Sequence, residues 1–187
     1  LLLNAALLGI IAWQLVVDRD ELLEHVSIVE LPIGDGRKAK TIRFSGVNLQ
    51  VVNGTGRTGR IKGELNNGLG NLIVGYQELR EADRHSATDD TNDRSGSHNL
   101  VVGSGNNYSI CAGQVVGYRN TISGPLSAVS GGEYNTASGT YSAVSGGNWN
   151  MVAAWRSVIG GGCGNFITEE ATDSVVSGGY KNQVSSR

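Results

Sequence analysis

Residues 127–150 read SAVSGGEYNTASGTYSAVSGGNWN, and the six letters SAVSGG that open the stretch at 127 return at 142. A unit of that length is too short to fold alone, so its recurrence predicts stacked coils, each burying a face against the next. Working outward, glycines fall at Gly103, Gly117, Gly131, Gly146, Gly161 and Gly178, at intervals of 14, 14, 15, 15 and 17. Asparagines keep step at Asn106, Asn120, Asn135, Asn150, Asn165 and Asn182. A degenerate first coil is read at 71–76, because NLIVG at 71–75 returns as NLVVG at 99–103.

Side chains alternate across a strand with period two. Stacking the coils therefore aligns Val129, Val144, Ile159 and Val176 in one inward column, and Ile122, Ala137, Val152, Ile167 and Val184 in a second. Ala128, Ala143, Val158 and Val175 fall on the opposite face of the first strand, small and still apolar. Glycine supplies positive φ at corners, and asparagine tolerates the left-handed conformation while offering side-chain hydrogen bonds up and down a stack. The charged stretch Thr168–Asp173 is read as an outward bulge at a corner. A coil this thin buries few and small side chains, so the Ala/Val face is expected to pack against sister copies. The expected fold is mainly β: a left-handed parallel β-roll or solenoid of 14–15-residue rungs, homotrimeric, behind an N-terminal hydrophobic α-helix. Packing within the coil and the trimer is assigned to Ala128, Val129, Ala143, Val144, Val158, Ile159, Val175 and Val176.

Composition supports a repeat rather than a compact enzyme: of 187 residues, 28 are glycine and only 2 are phenylalanine. A net charge of -2 gives no electrostatic case for nucleic acid. Cys111 and Cys163 lie three or four rungs apart, which at about 4.8 Å per rung puts them outside disulfide reach. Neither they nor His25, His85 and His98 follow a metal-site spacing, and no cofactor is expected.

Residues 1–17, LLLNAALLGIIAWQLVV, predict a helix. A membrane span, a secretory segment and a self-associating stalk all fit a run of this length. For the stalk, Leu1, Leu8, Leu15 and Leu22 recur every seven residues, with Ile11 between them. Leu22 to Val29 is read as the helix end passing into extended chain. Pro32 and Gly34-Asp35-Gly36 then break the pattern, and 41–53 is read as a strand. The divisions are thus 1–30 as stalk or anchor, 31–79 as a β lead-in, 80–97 as a charged surface loop inserted in a rung, and 98–187 as the repeat region, with further rungs expected beyond Arg187.

The serial repeat at 127–150 resembles the head repeats of trimeric autotransporter adhesins. The resemblance covers roughly 98–187, and Val47–Arg80 with GSHNLVVG at 96–103 resembles the lead-in before such repeats. It implies a left-handed parallel β-roll in each of three subunits on a bacterial surface. The chain departs from that pattern in carrying its hydrophobic anchor candidate at the N-terminal side.

GTGRTG at 54–59 has the GxGxxG form, but the glycine- and asparagine-rich continuation to Gly68 cannot open the helix a dinucleotide site needs. Asp89, Asp90 and Asp93 lack the ligand spacing of a calcium loop and are read as solvated charge available for surface contact. Trp149, Trp155 and Tyr134 lie at or near turns, where aromatic rings can dock glycans or proteins. No serine has a credible histidine and acid partner. The expectation is a non-enzymatic structural or adhesive fibre, extracellular or on the bacterial cell surface. Its partners would be its own copies, a glycan or host cell-surface protein, and a membrane through residues 1–17. The alternatives are a pilus-like filament subunit polymerising through its N-terminal helix and a phage-type fibre.

Overall fold

The computed structural model describes residues 20–59, 66–81 and 92–186, and the chain divides into two units at Gln50/Val51. The helix expected over 1–17 lies outside the described residues. In the first unit, residues 20–25 are helical and pass directly into β1 (Val26–Gly34), as read for the helix end. β1 pairs antiparallel with β2 (Arg37–Phe44). Positive φ at Asp35 (51°) and Gly36 (71°) closes the two as a hairpin of the type such residues favour. The strand expected over 41–53 therefore starts earlier and ends at Phe44. Gly34-Asp35-Gly36 is a turn, since two consecutive left-handed residues match the twist of a hairpin, whereas Pro32 lies within β1 and does not break it.

The second unit is a parallel β-solenoid. β3 (Leu72–Val74), β4 (Leu100–Ser104), β6 (Gln114–Tyr118), β8 (Ala128–Val129), β10 (Ala143–Val144), β12 (Val158–Ile159) and β14 (Val175–Val176) stack in that order into one seven-stranded sheet. β5 (Asn107–Tyr108), β7 (Thr121–Ile122), β9 (Thr136–Ala137), β11 (Met151–Val152), β13 (Phe166–Ile167) and β15 (Gln183–Val184) form a second, six-stranded sheet. Leu72 pairs with Leu100, confirming the degenerate first coil.

The interior is the one the alternation dictates. Val101, Val115, Val129, Val144, Ile159 and Val176 from the first sheet are buried together with Tyr108, Ile122, Ala137, Val152 and Ile167 from the second, and Val184 packs on them. Each apolar layer is one residue deep per sheet; hydrogen-bonded asparagines share the remaining interior with Ile110, Ala154, Ala171 and the serines Ser127, Ser142 and Ser157. Asn120, Asn135, Asn150 and Asn165 are completely buried.

That asparagine column makes the expected side-chain hydrogen bonds up and down the stack but does not take the expected left-handed conformation. None of the six asparagines has positive φ; the left-handed residue is the one before each, namely Gly105, Arg119, Tyr134, Trp149, Gly164 and Lys181. The asparagine is instead a clamp between coils. Asn150 Oδ1 accepts from the Asn165 main-chain N–H (3.0 Å), and Asn150 Nδ2 donates to Gly146 O and Gly162 O (both 3.0 Å). Asn120 and Asn135 repeat the pattern with their own neighbours.

The glycine register also shifts. Gly117 stacks on Gly132, not Gly131, and Gly132 stacks on Gly147. The equivalent corner is thus Gly103, Gly117, Gly132, Gly147, Gly162 and Gly179, all with positive φ. A Cβ on Gly132 would stand 1.9 Å from Gly147 O, whereas one on Gly131 would meet nothing nearer than 4.0 Å. From corner glycine to asparagine is three residues in every coil, so the extra residue of the longer coils enters between strand and corner. The two-residue lengthening at 168–173 exposes Glu169 and Glu170 as expected, but turns Ala171 into the core. The preceding coil has alanine, Ala154, where the shorter coils place Gly124 and Gly139 beneath a carbonyl only 2.0–2.1 Å from a would-be Cβ.

The described ends of the 80–97 segment are built into the stack instead of looping free. Tyr108 N–H donates to Asp93 O and Gly96 N–H to Tyr108 O, each 2.9 Å. Arg80 is 3% exposed and reaches Gly105 O (2.6 Å) through Nε, and Asn120 O (2.8 Å) and Thr121 Oγ1 (2.9 Å) through Nη2. A planar fork with several donors suits this capping of main-chain oxygens at a corner.

Candidate functional site

The eight residues assigned to packing divide between two faces. Val129, Val144, Ile159 and Val176 are core and unavailable to a partner. Ala128, Ala143 and Val158 are half-buried and Val175 is 69% exposed, and in-register pairing lines them up on the outside of the seven-stranded sheet. Leu100 and Leu72 extend this column toward β3, interrupted by Gln114. The result is an apolar stripe on a regular parallel sheet, with small side chains in its middle.

A second surface runs along the corner where the chain turns left-handed before each asparagine. Tyr134 and Trp149 hold φ of 54° and 57°, a conformation costing a bulky residue roughly 1 kcal/mol or more. Their rings stack at 4.3 Å between centroids and 2° between planes, a contact that offsets part of that cost. Tyr118 meets Tyr134 edge-on at 5.8 Å, and the Arg119 guanidinium lies 5.5 Å and 5.8 Å from the two tyrosine centroids. Farther along, the Lys181 ammonium stands 4.9 Å from the Tyr180 ring. The hydrogen bond and charge interaction with Tyr180 raise the Lys181 pKa above its ordinary value.

The opposite corner carries a second left-handed series, Leu126, Tyr141, Arg156 and Asp173. There Arg156 lies 3.7 Å above the Trp155 ring and pairs with Asp173 at 2.6 Å. Both members of that pair are about half exposed, so water screens it and it contributes under about 1 kcal/mol. Trp155 and Trp149 thus belong to different edges of the coil and form no single aromatic site. Phe166 lies within β13.

Asp93 accepts from the Ser95 N–H (3.2 Å) and hydroxyl (2.7 Å), which makes it a turn-former. Asp89, Asp90, Leu1, Leu8, Ile11 and Leu15 lie outside the described residues; Leu22 is 57% exposed on the helical segment. Among the described residues no group of three or more His, Cys, Asp or Glu side chains could hold a metal ion. No described helix is long and apolar enough to cross a membrane.

The remaining candidates for chemistry are engaged in structure. His25 Nδ1 bonds Ser45 O at 3.0 Å, and His98 Nε2 accepts from the Asn53 N–H at 3.2 Å. No disulfide joins Cys111 and Cys163. The Gly54–Gly59 glycines follow irregular chain at 51–53, not a strand, so the strand that a dinucleotide fingerprint requires is absent there. Burial pushes the Tyr108 phenol above its ordinary pKa, against the nearby Arg94 charge and a hydrogen bond with Gln77. Arg80 had no sequence signal of its own. A lone arginine in the first coil has no periodic counterpart to mark it.

Compared with known proteins, the chain matches no family model, no curated protein and no solved structure.

Proposed function

We propose that this chain is a non-enzymatic structural or adhesive module that assembles through the outer face of its seven-stranded sheet, as a homotrimer of left-handed β-rolls displayed outside the cell. The outward column Leu100, Ala128, Ala143, Val158 and Val175 carries this reading. A periodic line of small apolar side chains on a parallel sheet is a poor solvent face, because parallel sheets are normally covered on both sides. It is a good face for close approach of an identical sheet. The similarity of 127–150 to trimeric adhesin heads supports three copies and an extracellular setting. The engagement of His25 and His98 with main-chain groups supports a non-catalytic role.

Sedimentation equilibrium of the full chain tests it. The expected mass is three chains, falling to one when Ala128 and Ala143 are both changed to arginine, with the β-sheet circular dichroism retained. A folded wild-type monomer, or an Ala128→Arg/Ala143→Arg variant that stays trimeric, would overturn the assignment.

A further inference from the structure

The left-handed corner carries one side chain per coil: Arg119, Tyr134, Trp149, then Gly164, then Lys181. Equivalent main-chain bonds fix this register, since Tyr134, Trp149, Gly164 and Lys181 each donate to the residue sixteen to eighteen positions earlier: Tyr118, Glu133, Asn148 and Cys163. Tyr134 and Trp149 lie face to face and parallel, so one indole face is covered. The other looks toward the level of Gly164, where the ladder has no side chain. At about 4.8 Å per coil, Trp149 and Lys181 are roughly 9.5 Å apart along the stack, which leaves room for one ring between them. A Cβ built on Gly164 meets only Lys181 Cγ, at 3.4 Å, and the Lys181 ammonium is drawn aside over Tyr180. Trp149 is 41% exposed.

The rim of this gap is polar. Tyr118, which accepts the Tyr134 N–H, also lays its ring against Tyr134 one coil on. The Asn148 main-chain oxygen accepts the Gly164 N–H at 3.0 Å in the same way, so residue 148, half-buried, holds the position beside the vacant level that Tyr118 holds beside Tyr134. An amide donor and acceptor on one side and an ammonium donor beyond suit hydroxyl groups better than they suit an aromatic side chain.

We propose that the gap at Gly164 is a glycan subsite, in which a gluco-configured pyranose stacks its axial C–H face on Trp149 and hydrogen-bonds its equatorial hydroxyls to Asn148 and Lys181. The subsite is built within one chain and does not rest on self-association. Loss of the trimer with binding retained would remove only the assembly reading.

Saturation-transfer NMR with cellotetraose and with chitotetraose tests it, alongside N-acetyltyrosinamide as the rival occupant. Ring protons of at least one tetrasaccharide are expected to saturate, with a shift of the Trp149 indole N–H. Affinity should fall about tenfold or more in Trp149→Ala and be unchanged in Trp155→Ala. Gly164→Tyr should also abolish binding by filling the gap with the protein's own ring; Tyr134 and Trp149 already tolerate the required φ, near Gly164's 68°. Circular dichroism confirms folding, and if Gly164→Tyr fails to fold, Trp149→Ala decides alone. Silence from both sugars, binding that survives Trp149→Ala, or stronger saturation of N-acetyltyrosinamide would overturn the proposal, the last in favour of a protein partner.

Discussion

Replacing Asn150 by alanine should uncouple the stack at its middle. Four side-chain bonds disappear: from the Asn165 main-chain N–H and from Asn165 Nδ2, both to Oδ1, and from Nδ2 to Gly146 O and to Gly162 O. Gly162 O keeps a second donor, the Asn148 N–H at 3.0 Å. The Asn165 N–H and Gly146 O are left without these bonds, the first at a completely buried residue and the second at a half-buried one. Each orphaned group costs about 1–3 kcal/mol and the weakened carbonyl somewhat less, giving a loss of roughly 3–5 kcal/mol. Asn182 makes comparable donations, to Gly178 O and Asn165 Oδ1 (both 2.9 Å), but is exposed, so Asn182→Ala should cost only about 1 kcal/mol. Urea unfolding of both variants at one fixed protein concentration measures the difference, because any self-association would couple stability to concentration. Amide exchange at Asn165 should accelerate in Asn150→Ala before the rest of the coil does. Equal losses for the two variants, or a loss under about 1 kcal/mol at Asn150, would refute the clamp and return the asparagines to a conformational role.

The corner register makes an equally direct contrast. Gly132→Ala should prevent folding or cost more than about 4 kcal/mol, since its Cβ would overlap Gly147 O at a φ of 79°, while Gly131→Ala and Gly146→Ala should leave the thermal midpoint within a few degrees. The pH dependence follows from Tyr108, whose folded pKa is raised by burial. Below its ordinary value, about 10, both states keep the proton and stability is unaffected; above it the unfolded chain ionises first, so stability falls as pH rises. Urea midpoints measured from pH 8 to 11 should show this fall, and Tyr108→Phe should remove that component.

Much of the coil was legible in the sequence because period is a linear quantity. The return of SAVSGG after 127 at 142, with apolar residues alternating inside it, fixes the residues that share an inward column whatever the corners do. Val129, Val144 and Ile159, and likewise Ile122, Ala137 and Val152, could be aligned without coordinates. The start at 71–76 was readable for the same reason. The hairpin at 26–44 was only half readable, because Gly34-Asp35-Gly36 serves a chain end and a tight reversal equally well, and the pairing of Ile28 with Ile42 is a long-range fact.

The candidate surfaces were less legible. The outward Ala/Val column follows from alternation, but the aromatic ladder depends on which residue of each corner turns left-handed. Composition favours asparagine there, whereas the asparagine side chain is needed inside as a clamp, so the strained φ passes to Tyr134 and Trp149. Arg80 is invisible for a related reason: its value lies in reaching the carbonyls of Gly105 and Asn120, far along the chain.

By itself, then, the sequence determined the repeat, its two-sheet coil and the composition of its interior, since spacing and hydrophobic alternation are properties of the chain alone. Only the tertiary structure decided which glycine of each pair takes the tight corner, what the asparagines bind and where the ladder of rings has its gap. Those are settled by contacts between one coil and the next, where a single carbonyl 1.9 Å from a would-be Cβ separates Gly132 from Gly131.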